Sequence, residues 1–148
     1  MSERAVRSRS FALAWPPERA LGLFTPEGER AWAEGWDPQY VFPRDGRTEA
    51  GMVFVTHHGG EETVWTMTRY EPASGLVEYV RTTPGNRTAI VLVQCAPFTQ
   101  GRTRVTVQYT ITGLGEGGDR YVREMDETRY GAMIEGWRAA LAKLGATS

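Results

Sequence analysis

A single cysteine, Cys95, stands in the 148 residues, so no disulfide can staple the chain from within. Histidine is confined to His57 and His58, and no G-x-S-x-G, H-E-x-x-H or P-loop occurs. Lysine is almost missing: Lys143 is the only one among 17 basic residues, a bias expected of a GC-rich bacterial genome. The remaining bases are arginines scattered without a run, and 18 acidic residues leave a net charge of −1. Nucleic acid is therefore not an expected partner, because gripping phosphates takes a basic patch. No apolar stretch follows the charges of MSERAVRSRSF, and no uninterrupted apolar run approaches the ~18 residues a membrane span requires. Neither a signal peptide nor a membrane span is expected, and the reading is a soluble cytoplasmic protein.

What is present is an average globular composition, 41% hydrophobic and 24% charged. A chain of this length buries roughly 70% of its unfolded surface, enough for a core without a structural metal. No repeat, linker or low-complexity stretch divides it, so one domain over residues 1–148 is expected.

Val6 to Trp15 reads as a strand that Pro16-Pro17 ends, since proline cannot donate to a ladder but suits a first helical turn. Pro17 to Phe24 reads as a short helix, and Thr25-Pro26 as N-cap and first position of a second that carries Trp32 and Trp36. From Tyr40, runs of Val, Thr, Tyr, Phe and Trp alternate with turn clusters such as Gly59-Gly60 and Pro84 to Asn86, which spells an antiparallel meander. After Gly118 the period turns helical: Val122, Met125, Met133, Trp137, Ala140, Leu141 and Leu144 fall on one stripe of a helix about 25 residues long.

The turns set registers. A two-residue turn at Gly59-Gly60 places His58 opposite Glu61, His57 opposite Glu62, Phe54 opposite Trp65 and Met52 opposite Met67. Three-residue loops at 84–86 and 99–101 bring Tyr79 to Val91, Val91 to Tyr109 and Val93 to Val107. One sheet face thus collects these apolar residues, while Arg104, Thr106, Gln108 and Thr110 face water. The Pro72 to Gly75 loop leaves a one-residue slip open, in which Arg69 pairs with Glu78.

Two motifs are set aside. Gly113-Leu-Gly-Glu-Gly-Gly118 matches a dinucleotide-binding pattern, but no parallel strand follows, so it reads as a flexible strand-to-helix loop. His57-His58-Gly-Gly-Glu61-Glu62 offers metal-ligating groups, yet neighbouring strand residues point to opposite faces and at most two ligands could meet. It reads as an exposed hairpin tip, and Cys95 as a small buried hydrophobe. On the long helix, Asp126 and Arg129 fall inside the apolar arc, either as an exposed pair or as the edge of a hydrated cavity.

The order of strand, two short helices, meander and long helix resembles the START-like, helix-grip superfamily. That group includes the birch-pollen allergen, polyketide cyclases and the activator of a heat-shock chaperone ATPase. The resemblance runs the full length, on Ala-Trp-Pro-Pro-Glu (14–18), Gly-Trp-Asp-Pro (35–38), Val-Trp-Thr-Met-Thr-Arg-Tyr-Glu-Pro (64–72), Glu-Tyr-Val-Arg-Thr-Thr-Pro-Gly (78–85), Thr-Arg-Val-Thr-Val-Gln-Tyr-Thr (103–110) and the Trp137 to Leu144 helix end. The chain is most similar to bacterial SRPBCC (START-like) proteins of unassigned function.

The resemblance implies an α+β helix-grip fold: a curved seven-stranded antiparallel sheet around a C-terminal helix, two short helices after the first strand, and an apolar cavity between helix and sheet. It implies no cofactor and no universal catalytic set, and the hairpin geometry leaves no metal site expected. The expected function is binding of a small, mostly apolar or amphipathic molecule by a monomer or weak homodimer. A polyketide cyclase-like enzyme and an interaction module like the chaperone-ATPase activators are the alternatives. The registers and the implied architecture together select Trp65, Met67, Tyr79, Val91, Val93, Val107, Tyr109, Met125 and Met133 as lining. Arg81, Asp126 and Arg129 are the expected polar edge, favouring an anionic or phenolic ligand if Asp126 leaves Arg129 free.

Overall fold

The computed structural model describes residues 2–146. Seven strands form one antiparallel sheet in the order β1-β7-β6-β5-β4-β3-β2: β1 (Arg4–Leu13), β2 (Gln39–Phe42), β3 (Val53–His58), β4 (Glu61–Glu71), β5 (Leu76–Thr83), β6 (Arg87–Pro97) and β7 (Thr103–Gly113). Between β1 and β2 come α1 (Pro17–Ala20), a 3-10 turn (Leu21–Phe24) and α2 (Pro26–Glu29); α3 (Glu116–Glu124) and α4 (Glu127–Ala142) follow β7. This is the α+β helix-grip arrangement, with one curved sheet held against the C-terminal helix.

The hairpin registers follow the turn chemistry. Gly59 and Gly60 take φ of 56° and 84°, as a primed two-residue turn requires, and Phe54 pairs with Trp65, His57 with Glu62 and His58 with Glu61. Tyr79 pairs with Val91, Val91 with Tyr109 and Val93 with Val107. The open register at Pro72 to Gly75 resolves through a bulge: Met67 meets Tyr79, Thr68 is skipped, and Arg69 then meets Glu78. Both pairings coexist along one strand, and Trp65 falls opposite Arg81.

Thr25 caps α2 as its sequence suggests, accepting from the Gly28 amide at 3.1 Å. The helix ends at Glu29, however, so Trp32 and Trp36 lie beyond it in successive turns, with Gly35 at φ 73°. Their indole N–H groups hold them: Trp32 donates to the Leu23 carbonyl at 2.7 Å and Trp36 to the Pro26 carbonyl at 2.8 Å.

The C-terminal helix is broken where one continuous stripe was expected. Met125 (ψ 65°) ends α3, and Asp126 is extended and caps α4, its carboxylate accepting from the Arg129 amide at 2.8 Å. The break resets the helical phase, so Tyr130, Ile134 and Leu141 face the sheet while Met133 and Trp137 are half-buried. The Tyr130 hydroxyl donates to the Val107 carbonyl at 2.6 Å, fixing α4 on the concave face.

The Gly113 to Gly118 segment is not a loose loop. Gly113 closes β7, and Gly118 lies inside α3 against the β5–β6 turn, where a Cβ would come within 1.6 Å of the Asn86 carbonyl oxygen. The glycines there admit close packing. Among the described residues no helix is long and apolar enough to cross a membrane.

Candidate functional site

Sheet and helices leave a cavity of about 550 Å³ between them. Alternation along the strands determines what faces it: β4 contributes Trp65, β5 Tyr79 and Arg81, β6 Val91 and Val93, and β7 Tyr109. Phe24 and Glu29 come from the segment after β1, and Met133 and Trp137 from α4. The cavity opens to solvent beside Glu34 and Gly35, the His57-His58 hairpin tip and Arg129, all exposed.

The inner wall is built of rings. Trp65 stacks on Phe54 at 5.5 Å, and Trp36 and Tyr79 meet it edge-on at 5.4 and 5.7 Å. Tyr109 stands 6.4 Å from Trp137. Such arrangements lock large aromatic surfaces in place and leave flat faces along the cavity.

Four polar groups belong to this wall. The Arg81 guanidinium sits 4.5 Å over the Trp65 ring, across the strand pair that sets them opposite each other. Protein closely surrounds the Glu29 carboxyl, and that burial pushes its pKa well above the usual carboxylate range, the charge of Arg81 pulling only partly the other way. Burial also raises the Tyr109 phenol, again opposed by Arg81. The Tyr79 phenol is pushed far up by burial, and its hydroxyl is committed to the Phe24 carbonyl at 2.7 Å. Together they offer a cation, an acid of raised pKa and phenols beside the aromatic rings.

A further set ties the mouth. Arg87 donates to both Glu61 oxygens, at 3.1 and 3.2 Å, and lies 3.8 Å over the Tyr121 ring. The Glu61 carboxyl is held below its ordinary pKa chiefly by those bonds. On the opposite face His57 meets Glu62 at 3.1 Å. Among the described residues no three His, Cys, Asp or Glu side chains gather as a metal site would need. Cys95 is buried, its thiol pushed up to about 12 by burial, and it is unsuited to act as a nucleophile.

Of the residues selected from sequence, Trp65, Tyr79, Arg81, Val91, Val93, Tyr109, Arg129 and Met133 line the cavity. Met67, Val107 and Met125 are buried in the core away from it. Asp126 is exposed and spent on capping, while Arg129 stands at the mouth 3.5 Å from Glu124. Sequence reasoning missed Glu29, although its spacing three and four residues before Trp32 and Ala33 puts a charge on an apolar side. It also read the His58–Glu61 tip as plain surface, whereas the tip borders the opening.

No family model and no curated protein matches the chain. Solved structures of similar shape do exist. Norcoclaurine synthase from Thalictrum flavum, in complex with dopamine and hydroxybenzaldehyde, superimposes with a TM-score of 0.69 at 12% identity, over 97% of this chain and 87% of that one. An uncharacterized protein from Rhizobium leguminosarum gives 0.66 at 16% identity, over 97% and 93%. The Zhui aromatase/cyclase from Streptomyces sp. R1128 gives 0.65 at 14% identity, over 93% and 91%. Likeness across nearly the whole of each chain, joined to the strand order and the helix on the concave face, establishes that this chain has the helix-grip, Bet v1-like SRPBCC fold.

Proposed function

We propose that the protein binds a small, mostly apolar molecule carrying a polar head, in the cavity between sheet and α4. The observation that carries this reading is the cavity itself: about 550 Å³, with an inner wall of aromatic rings and with Arg81, Glu29 and Tyr109 among the polar groups that line it. Sites that bury a small ligand have a volume in this range and combine aromatic walls with convergent polar groups. A core meant only for stability would fill the space, since unfilled volume costs stability.

The test is a titration of the purified chain with fatty acids, polycyclic phenols and amines, followed by calorimetry and thermal denaturation. Binding of at least one class should raise the melting temperature, and Val91→Phe, which narrows the cavity, should weaken it. Absence of binding across the panel, or binding indifferent to Val91→Phe in a folded variant, defeats the reading.

A cyclase-like enzyme is the second reading, and one observation favours it: Glu29 faces the cavity with a carboxyl whose pKa burial raises, the direction a proton donor needs. Turnover of a reactive polyketide surrogate that Glu29→Gln abolishes, without loss of binding, would select the enzyme over the binder.

A further inference from the structure

We propose that Arg81 and Tyr109 together receive the oxyanion of an aromatic carboxylic acid whose ring lies along the Trp65 wall. This deepens the cavity-binding reading and rests on it.

The first observation is Tyr109. It is 7% exposed and lines the cavity, and its hydroxyl is committed to no backbone carbonyl or carboxylate; its side-chain neighbour is the Arg81 guanidinium. Neighbouring buried hydroxyls are committed: Tyr79 to the Phe24 carbonyl, Tyr130 to the Val107 carbonyl, and Thr63 to Thr83 at 3.0 Å. The Tyr109 hydroxyl is thus left free to donate into the cavity that it lines.

The second observation is Arg81. Among the described residues Arg87 pairs with Glu61 and Arg129 with Glu124, but no carboxylate lies within ion-pair distance of Arg81. It lies 4.5 Å over the Trp65 ring and within reach of the Tyr109 phenol. Glu29, the other carboxyl on this wall, makes no ion pair with it, and burial raises the pKa of that carboxyl. A guanidinium that lines a cavity without a carboxylate partner calls for an anion, and a carboxylate matches its planar fork.

The third observation joins the two. Arg81 lies opposite Ala89 on β6, and Tyr109 lies opposite Val91, so only a methyl side chain separates Arg81 from the strand that carries the phenol. Arg81 and Tyr109 also share a small void of about 10 Å³. Two donors, one of them charged, thereby converge beside a flat ring wall. The chemistry selects a negatively charged planar head with an aromatic body over an amine or an uncharged amide.

The experiment compares three probes of one shape on the full chain by isothermal titration calorimetry: 2-naphthoate, 2-naphthamide and 2-naphthylmethylamine. Naphthoate should bind at least about tenfold tighter than either of the others. Arg81→Met should abolish that preference while leaving naphthamide within about twofold, and Arg81→Lys should keep part of it. Tyr109→Phe should weaken naphthoate alone, by several-fold, with circular dichroism and melting temperature establishing that each variant folds. The comparison on the unsubstituted protein stands even if a variant does not. Equal binding of the three probes, or a preference for naphthoate that survives Arg81→Met, overturns the inference and leaves the cavity-binding reading intact. Binding of none overturns both.

Discussion

Arg87 holds Glu61 through two parallel hydrogen bonds of 3.1 and 3.2 Å, joining the start of β6 to the tip of the β3–β4 hairpin. The same guanidinium covers the Tyr121 ring of α3. One side chain thus ties three segments around the cavity mouth. Arg87→Ala should cost about 1 kcal/mol, because Glu61 is half-exposed and water screens the pair. Amide exchange at residues 56–63 and 116–124 should accelerate with it. The sign in pH follows from Glu61: its folded pKa is depressed, so the contribution is complete above the ordinary 4.5 and is lost as pH falls through the lower folded value. Unchanged exchange at both segments would show that the tie holds nothing.

Asp126→Ala should destabilise the protein by about 1 kcal/mol in urea unfolding, since it removes the cap of α4. Affinity for cavity ligands should stay where it was. A changed affinity at unchanged stability would return Asp126 to the site.

Glu29→Gln should stabilise the protein above neutrality and do nothing in acid. Protein surrounds the carboxyl on the cavity wall and its folded pKa is raised, so the wild-type protein loses stability as pH climbs from the ordinary 4.5 toward the folded value. Glutamine keeps the shape and cannot ionise. Melting curves from pH 4 to 9 should converge at the acid end and separate by a few degrees at the basic end; parallel curves would refute the assignment.

Two glycines should respond oppositely to alanine. At Gly118 the new methyl would collide with the Asn86 backbone, a contact of 1.6 Å that no rotamer relieves, and the loss should be about 2–3 kcal/mol. At Gly136, inside α4, nothing lies within 4 Å, so Gly136→Ala should gain about 0.5–1 kcal/mol from helix propensity. Chemical denaturation of the two variants measures both signs.

The sheet was readable from sequence because turn residues and alternation are local. Gly59-Gly60 alone dictated which side chains oppose each other along β3 and β4, and the pairing of Tyr79, Val91 and Tyr109 followed in the same way. What escaped depended on a phase or a distant neighbour. Counting 100° per residue straight through Met125 and Asp126 put Asp126 inside the apolar arc and left Tyr130 and Ile134 out, since one extended residue shifts every position after it. Strand parity chose the face correctly but not the depth: Met67 and Val107 point inward, yet lie beneath the core instead of along the cavity. Glu29 belongs to a four-residue helix, too short for a periodic signal, and the packing that buries it comes from elements far away in the chain.

β1 is the outlier of the topology. Every other strand joins its chain neighbour, but β1 pairs with β7, and Ser10 meets Thr106 across 96 residues. Closing a loop of that size is an entropic cost the local hairpins do not bear. The meander can therefore assemble turn by turn, whereas β1 gains its ladder only once β7 is in place. Refolding should show the N-terminal strand protected last, and a circular permutant that delivers β1 directly after β7 should fold faster than the natural order.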